Sequence, residues 1–541
     1  MPGRLKLYTL QSIYKLFLKK KFSQFKQAID LSKEFQTNYI LNLLKKNAAT
    51  LYGKKYDFKN IKTINNYTKA LPVVCYDDIK HYIEKIKEGQ KNVFSVLPEL
   101  MLEKTSGSTA ASKYIPFNCA LLSEIHNATC AWIYDLYKNN SCLLKSSSYW
   151  SVSPGLGSRE VTKGGLKVGF DDDSQYFSGI ERLFLKHIFA LNPSSVEKLS
   201  GDEFYEQTSV SLLLDKYLGL ISIWNPTFLI ILLEFIENNK TYILKNLKSK
   251  KYRKLSNRVR EIEKIFTINP KIDFSLIWPD LRLISCWTQG ISNLFLPDLK
   301  KYFPHTRIQG KGLFLTEGVI TIPVYGFNAP LLSINSHFYE FIDIENISGA
   351  CLKNAGTLLP YQLEQGREYL PVISTGGGLY RYVAGDKVRV RGFYKDVPLL
   401  EFKGRWNNIT DMCGEKLNEN FVAQIISDIN KEFFFNVKFS MLAPSLDPSP
   451  HYTYFIETQS ENIVNPQQIA DRLDQDLRKN HHYDLCRNLG QLSKVKIRFI
   501  KNGHATYLKT LSHIKKQKLG DIKHNALDSN FFWERKFSDK A

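Results

Sequence analysis

The segment Lys104–Pro116, KTSGSTAASKYIP, gathers hydroxyl side chains, glycine and lysine into one short stretch. Loops of this composition hold phosphates because backbone N–H groups and hydroxyls meet a dense negative charge. The pattern is not a Walker loop, since GxxxxGK[ST] is absent. The candidate phosphate-binding residues are Ser106, Gly107, Ser108 and Thr109. By composition alone, a polar surface turn remains an open alternative.

Two carboxylates follow apolar runs further along the chain. Glu317 lies in FLTEG, Phe314–Gly318, before a β-rich run, where an acid would hold Mg²⁺ on a nucleotide phosphate. Asp386 follows Gly385 in YRYVAGDKVRV, Tyr380–Val390, and its two oxygens would accept both ribose hydroxyls. Each has a plainer alternative, because Glu317 could face solvent and Gly385-Asp386 could be an ordinary hairpin turn.

The elements around these segments predict an α/β protein. Residues 1 to about 90 carry helical patterns with short polar breaks, and another helical pattern covers Ala120–Tyr137. Short β-rich runs flanked by turn residues predict strands at Leu281–Trp287, Val319–Phe327 and Lys387–Phe393. We therefore expect β-sheets flanked by helices up to about residue 402.

The character of the sequence changes near Gly404. In FKGRWNNITDMCGEKLNE, Phe402–Glu419, Arg405 stands where the large domain ends and a polar hinge follows. Helix, strand, strand, helix and strand patterns come next, at Phe421–Ile429, Phe439–Leu442, His451–Thr458, Ile469–Lys479 and Lys494–Ile500. These elements suit a small α+β domain. We expect two domains, residues 1–403 and residues 404–541.

Composition limits the classes of function. Apolar residues make up 43% and charged residues 23% of the 541 residues, as in a globular protein with more than one domain. No signal peptide is visible, and the longest apolar stretch, Thr227–Ile236, is about half of what a bilayer span needs. Near the N-terminus, Leu7, Leu10, Tyr14 and Phe17 predict a helix face packed on its own domain, with a membrane-surface helix as the alternative.

The net charge is +21, and basic residues gather at Lys19–Lys21 and Lys245–Arg260. The second cluster predicts a solvated helix face or a connecting arm, because it lacks the patterns of known nucleic-acid-binding motifs. A nucleotide-handling enzyme fits this charge, and no nucleic-acid partner is expected. The eight cysteines show no CxxC pairing, so we predict neither a zinc site nor disulfides and expect a cytoplasmic protein.

The order of these motifs resembles that of adenylate-forming enzymes, the superfamily of acyl-CoA synthetases and luciferases. The finer resemblance is to the Gretchen Hagen family of acyl-acid amido synthetases, known from plant hormone conjugation and from bacteria. It extends over nearly the whole chain. Its landmarks are NAATLYGKKYDF (Asn47–Phe58), LPVVCYDDIKHYIEKIKEG (Leu71–Gly89), YWSVSPG (Tyr149–Gly155), VGFDDDSQY (Val168–Tyr176), WNPTFL (Trp224–Leu229), WPDLRLISCW (Trp278–Trp287), SHFYEF (Ser336–Phe341) and LGDIK (Leu519–Lys523).

The resemblance implies a large N-terminal domain that binds ATP and the acid, and a small mobile C-terminal domain. It implies a phosphate-binding role for Ser106, Ser108 and Thr109, with Gly107 in the same loop. It also implies that Glu317 carries Mg²⁺ beside Thr316, and that Tyr380 and Asp386 lie near the adenosine. Arg405 and Lys416 would belong to the hinge, and Lys523 would contact the substrate carboxylate or phosphate. Two departures are Ala111, where the loop often has glycine, and Leu313, where relatives have a tyrosine near adenine.

The predicted function is an ATP- and Mg²⁺-dependent ligase. It would activate a small carboxylic acid as an acyl-adenylate and pass the acyl group to an amine, with an amino acid as the expected acceptor, releasing AMP and pyrophosphate. The alternatives are an acyl-CoA ligase with a thiol acceptor and a catalytically inactive basic binding protein. We expect a monomer whose acid pocket draws on Cys119–Tyr137, Ser151–Phe170 and Trp287–Ile291.

Overall fold

A computed structural model describes residues 3–105, 113–151, 160–169, 185–192, 195–196, 199, 201–268, 271–346, 352–406, 409–433, 437–458, 465–515 and 525–538. The chain divides into two compact units, Met1–Lys104 with Tyr114–Gly404, and Thr105–Lys113 with Arg405–Ala541. Within the described ranges, no helix combines the length and apolar character needed to cross a bilayer.

The first unit begins with helices, as the sequence predicts for residues 1 to about 90. The helices described in this unit are α1 (Arg4–Asp30), α2 (Ser32–Lys46), α3 (Leu51–Lys55), α4 (Ile64–Ala70), α5 (Tyr76–Lys87), α6 (Cys119–Asn139), α7 (Gly201–Leu214), α8 (Pro226–Asn238), α9 (Lys240–Leu247), α10 (Ser256–Ile268), α11 (Phe274–Ile277) and α12 (Leu296–Tyr302). The prediction at Ala120–Tyr137 is confirmed by α6. The Asn118 side chain caps this helix by accepting from the N–H groups of Ala120 and Leu121.

Helix α1 buries one face, although not quite the predicted one. Leu7, Tyr14 and Leu18 are buried, whereas Phe17 is exposed. The prediction was wrong for Phe17 because eleven residues complete about three helical turns, which places Leu18 and not Phe17 in line with Leu7.

The strands described in the first unit are β1 (Met101–Thr105), β2 (Lys113–Phe117), β3 (Ser147–Trp150), β4 (Lys167–Val168), β5 (Leu218–Ser222), β6 (Leu283–Cys286), β7 (Arg307–Gly310), β8 (Thr321–Ile322), β9 (Leu331–Leu332), β10 (Phe338–Asp343), β11 (Glu368–Ser374), β12 (Tyr382–Val383), β13 (Asp386–Tyr394) and β14 (Val397–Arg405). The predictions at Leu281–Trp287 and Lys387–Phe393 are confirmed by β6 and β13. Val319–Phe327 contains only the two-residue β8, because Pro323 has no N–H to continue the pairing.

Three sheets organise these strands. A four-stranded sheet has the order β3–β5–β6–β7 and is parallel throughout. A seven-stranded sheet has the order β10–β11–β13–β14–β9–β8, with β12 also paired to β11. A third sheet has the order β2–β1–β4. The carboxyl ends of these parallel strands lie at one edge of the sheet, which is the edge where ligands bind in open α/β sheets.

The second unit is a small α+β fold, as predicted. Its described elements are β15 (Ile409–Thr410), β16 (Leu417–Asn418), α13 (Glu419–Phe433), β17 (Val437–Ser445), β18 (His451–Thr458), α14 (Pro466–Leu477), α15 (His481–Asn488), β19 (Lys496–Phe499), α16 (Gly503–Lys515) and α17 (Trp533–Ser538). Strand β18 lies between antiparallel β17 and parallel β19. Phe439, Phe455 and Trp533 belong to its buried core.

The basic cluster Lys245–Arg260 covers the end of α9, a short 3₁₀ helix and the start of α10. Most of its side chains are exposed, but Arg258 is buried. The Arg258 guanidinium donates to the carbonyl oxygens of Leu213 at 3.0 Å and Ile277 at 2.7 Å. The prediction of a solvated face is therefore wrong for Arg258, whose charge joins two segments of its own unit.

Candidate active site

Part of the predicted site lies outside the described residues. Ser106, Gly107, Ser108, Thr109 and Lys523 all fall there, as does Ala111. Arg405 ends β14. The structure describes the other predicted residues with their surroundings, namely Thr316, Glu317, Tyr380, Asp386 and Lys416.

Glu317 and Thr316 lie on a tight turn between the half-buried Leu313–Leu315 and the buried Val319–Ile322. The Leu315 N–H donates to the Gly318 carbonyl at 2.9 Å, and the Gly318 N–H donates back to the Leu315 carbonyl at 3.2 Å. Both Glu317 and Thr316 are half-buried. The turn thus presents one carboxylate and one hydroxyl at a partly accessible position, and Glu317 does not simply face solvent.

A buried histidine, His337, hydrogen-bonds to the backbone directly after this turn. His337 Nε2 accepts from the Val319 N–H at 3.0 Å, so the ring is neutral and its proton lies on Nδ1. Nδ1 then donates to Glu124 Oε2 at 2.9 Å. A Cβ added at Gly318 would lie 2.6 Å from His337 Nε2, so the turn approaches the ring as closely as glycine allows.

Glu124, on α6, is held by further donors. The Tyr39 hydroxyl donates to Glu124 Oε1 at 2.6 Å, and the Gly376 N–H donates to both carboxylate oxygens at 2.9–3.0 Å. Burial, and then the Glu124 charge, raise the pKa of Tyr39 well above its ordinary value, so its hydroxyl stays protonated as a donor. This network, Tyr39–Glu124–His337, connects the Glu317 turn to α2, to α6 and to the residue directly before β10.

Tyrosines of the YRY segment occupy two different environments. Tyr382 directs its hydroxyl toward Glu317 Oε1 at 3.4 Å, and burial followed by the Glu317 charge raises its pKa well above the ordinary value. Tyr380 instead belongs to an aromatic core, stacked on Tyr52 with ring centroids 5.5 Å apart. Its hydroxyl donates to the carbonyl of Phe94 at 3.1 Å. Tyr380 is therefore a packing residue in this structure, and its role near adenosine stays a prediction.

Gly385 and Asp386 form a bulge rather than a hairpin turn. Strands β12 and β13 both pair antiparallel with β11, so the chain continues along one partner strand through Gly385. Val383 pairs with Val372 and Val388 pairs with Tyr369, so this segment has two residues more than the facing part of β11. Gly385 lies within the extra length and has a φ of +78°, a value that favours glycine. Asp386 opens β13 with a side chain that is 1% exposed. The hairpin alternative is thus wrong.

A lysine surrounded by tryptophans lies at the carboxyl edge of the parallel sheet. Lys311 directly follows β7, and its Nζ donates to Ser222 Oγ, at the end of β5, at 2.8 Å. The same Nζ lies 4.7 Å from the ring centroid of Trp224, 4.9 Å from Trp132 and 5.6 Å from Trp150. Such contacts stabilise a buried ammonium group. Lys311 is six residues before Glu317, so a positive charge lies on the same segment as the turn.

In the second unit, the loop before β16 is built around a buried acid. Glu415 accepts from the N–H groups of Met412 and Cys413, each at 2.7 Å, and from the Tyr452 hydroxyl. Burial, and then the Asp411 charge, raise the pKa of Glu415 to about 7. Lys416 follows with a φ of +45°, an uncommon conformation for a residue other than glycine, and is half-buried.

Three family domains match the chain in order. Residues 21–308 match the GH3 family N-terminal domain, residues 330–405 its central domain and residues 419–530 its C-terminal domain. The chain belongs to the GH3 family. The resemblance to the Gretchen Hagen family stated from the sequence is therefore confirmed.

Plant enzymes are among the relatives of this GH3 family member. A jasmonoyl–L-amino acid synthetase of Nicotiana attenuata is 23% identical over 89% of this chain and 88% of its own length. An indole-3-acetic acid-amido synthetase of Arabidopsis thaliana is 22% identical over 88% of each chain. The solved structure of the GH3.15 acyl acid amido synthetase in complex with 2,4-DB covers 96% of this chain and 95% of its own, with 17% identity and a TM-score of 0.62. That likeness confirms the predicted fold class.

We expect His337→Phe to weaken Mg²⁺ binding, although the phenyl ring still fills the space of the imidazole. Phenylalanine keeps a ring but neither accepts from Val319 nor donates to Glu124, and each buried hydrogen bond left unmade costs about 1–3 kcal/mol. The Mg²⁺ concentration for half-maximal pyrophosphate release should rise about tenfold. His337→Gln, whose amide oxygen can accept from Val319, should restore part of the loss. A lower melting temperature with an unchanged Mg²⁺ requirement would reduce His337 to a packing role.

The raised pKa of Glu415 predicts a pH-dependent stability. A carboxyl that titrates at 4.5 when unfolded and at about 7 when folded binds more protons in the folded state, so its contribution to stability is lost as pH rises across that window. The melting temperature of the wild type should fall more steeply over this window than that of Glu415→Gln, which cannot ionise. Parallel curves for the two proteins would contradict the assignment.

Sequence reasoning missed several residues of this site. Tyr382, Lys311 and the Glu124–His337 pair were not predicted as functional, although His337 lies in the SHFYEF landmark. One signal was available for Glu124, since an acid within an apolar helix pattern requires a buried partner. Its partner is 213 residues away in sequence, and only the fold identifies it.

Proposed function

We propose that this protein activates a small carboxylic acid with ATP as an acyl-adenylate and transfers the acyl group to the amine of an amino acid. The observation that carries the proposal is the match of all three GH3 domains in order along the chain, together with a partly accessible Glu317 turn. The named relatives are synthetases that join an acid to an amine.

The residues around Glu317 fit a nucleotide-bound Mg²⁺. Among the described residues, no three His, Cys, Asp or Glu side chains gather as a metal site. A single half-buried carboxylate suits Mg²⁺, which takes few protein ligands and completes its shell with phosphates and water. When bound, the metal stabilises the negative charge that builds up on the reacting phosphate. Glu317 would hold it, with Thr316 beside the phosphate and Tyr382 orienting Glu317.

The remaining nucleotide contacts follow the family resemblance. Ser106, Gly107, Ser108 and Thr109 would donate to the phosphates, and Asp386 would accept from the ribose hydroxyls. Donors fixed in place favour the crowded anionic state formed when the acid attacks the α-phosphate. The product is an acyl-adenylate with AMP as its leaving group, while pyrophosphate departs. This step solves the chemical problem that a carboxylate by itself has no adequate leaving group.

We assign the acid to the edge of the parallel sheet where Lys311 lies. Trp132 and Trp287 belong to two of the ranges predicted to line the acid pocket. Lys311 Nζ lies over the rings of both Trp132 and Trp224, and the Trp224 ring in turn lies 5.9 Å from that of Trp287. A positive charge there would attract the carboxylate, and aromatic faces would pack on the acyl group. The bound acid would then lie near the segment that carries both Lys311 and Glu317, where the nucleotide phosphates are proposed to bind.

In the second half-reaction, the amine attacks the carbonyl carbon of the adenylate, loses a proton and displaces AMP. Assignment of Arg405 and Lys416 to the hinge, and of Lys523 to the reacting carboxylate or phosphate, belongs to this proposal. So does the division into an adenylation domain, residues 1–403, and a hinge with a small domain, residues 404–541. The half-buried Lys416 on its constrained loop is compatible with such a role.

The deciding experiment separates acceptor classes. Carboxylic acids are screened for pyrophosphate release with ATP and Mg²⁺, and productive acids are then incubated with mixed amino acids and analysed by mass spectrometry. We expect an amide whose formation requires ATP. A thioester formed with coenzyme A, and no amide, would establish the acyl-CoA ligase instead. No pyrophosphate release with any acid would favour the inactive binding protein.

A further inference from the structure

Helix α1 has a second apolar face that its own unit does not cover. The face opposite Leu7, Tyr14 and Leu18 carries large apolar side chains that remain exposed, Leu5 at 79% and Leu16 at 69%. Tyr8 and Ile13, between them, are also exposed. Exposed large apolar residues that gather on one face mark interaction surfaces more often than singly scattered ones do.

The helical repeat places these residues in one line. Leu5 and Leu16 are eleven residues apart, which is about three turns, so they project from the same side about 16 Å apart. The buried side packs on α6, where the rings of Phe22 and Tyr134 have centroids 4.7 Å apart. The helix is therefore fixed by one face and presents the other outward.

The same exposed face is strongly basic. Lys6, Lys19 and Lys20 are exposed, and within the described part of the chain none of the three makes an ion pair. From Arg4 to Ala28 the helix contains no acidic residue. A surface that combines leucines with lysines matches one partner in both respects, namely a layer of anionic headgroups over an apolar interior.

We propose that α1 lies flat in the headgroup region of an anionic lipid membrane, with Leu5 and Leu16 inserted and the lysines paired with lipid phosphates. A second copy of the chain fits less well, because it would bring the same lysines together in a protein of net charge +21. A nucleic acid would use the lysines but leave the leucines in water. The helix docks on the bilayer without crossing it.

The test is sedimentation of the full-length protein with vesicles of phosphatidylcholine alone or with added phosphatidylserine. We expect binding to the anionic vesicles only, weakened by salt. The double variant Leu5→Gln with Leu16→Gln should lose at least about tenfold in affinity, since the strength of membrane binding scales with the apolar area that is buried. Lys19→Gln and Lys20→Gln should each lose about fivefold.

A matched control uses exposed apolar residues elsewhere on the same unit. Ile268→Gln with Leu276→Gln removes side chains that are 69% and 51% exposed and should bind vesicles like the wild type. Melting temperatures establish that both double variants are folded. Equal loss in both variants, or no sedimentation of the wild type, overturns the proposal. The proposal is also overturned if the wild type is a dimer in sedimentation equilibrium and the variant Leu5→Gln with Leu16→Gln is a monomer. The same holds if the wild type binds RNA and this variant binds RNA equally well.

Discussion

Replacing Glu317 by glutamine should reduce the rate of pyrophosphate release by about 100-fold or more, since a lost metal contact removes several kcal/mol of transition-state stabilisation. Glutamine keeps the size of the side chain and its place beside Tyr382 but has no charge to offer Mg²⁺. The measurement is the initial rate at saturating ATP and acid over a range of Mg²⁺ concentrations. Removal of the metal with a chelator should abolish the wild-type rate, and added Mg²⁺ should restore it.

A matched control separates the metal role from a general charge effect. Glu34→Gln removes an exposed carboxylate from α2 in the same unit and should leave the rate and the Mg²⁺ requirement unchanged. If the Glu317 variant retained wild-type dependence on Mg²⁺, Glu317 would not hold the metal. If zinc alone restored activity after chelation, the assignment of magnesium would be wrong.

Replacing Asp386 by alanine should raise the KM for ATP by at least about 100-fold, because two charge-assisted hydrogen bonds to the ribose are worth about 1.5–3 kcal/mol each. The sharper measurement is discrimination between ATP and its 2′-deoxy analogue. The wild type should prefer ATP, and Asp386→Ala should lose that preference. Comparison of the two nucleotides within one protein cancels any general damage to the site.

Burial of Asp386 makes a stability control necessary. Its side chain is 1% exposed at the start of β13, so the alanine variant also leaves a space in the structure. Asp386→Asn fills that space and should lie between wild type and alanine in nucleotide discrimination, with a melting temperature near that of the wild type. A folded Asp386→Ala protein that still discriminated between the two nucleotides would remove Asp386 from the ribose site.

Local patterns predicted the elements of this fold with good accuracy. The alternating run His451–Thr458 is strand β18 with the same ends, and the apolar pattern at Ala120–Tyr137 is most of α6. Both depend on side-chain periodicity within one segment, which a sequence displays directly. Distant contacts explain the failure at Arg258, whose charge is buried against two carbonyl groups from other segments. The failures at Phe17 and Val319–Phe327 have local causes, the helical repeat and Pro323.

The sequence by itself determined the family, the fold class and which two carboxylate side chains are candidates for the site. Glu317 and Asp386 were recognised from a few neighbouring residues, because a motif is a local pattern of residue types. What surrounds them was decided only by the tertiary structure. Tyr39, Glu124 and His337 meet beneath the Glu317 turn from three distant segments, Lys311 reaches its tryptophans across parallel strands, and Gly385 proves to be a bulge. The physical reason is that burial and hydrogen-bond geometry depend on which segments pack together, and that packing is a property of the whole chain.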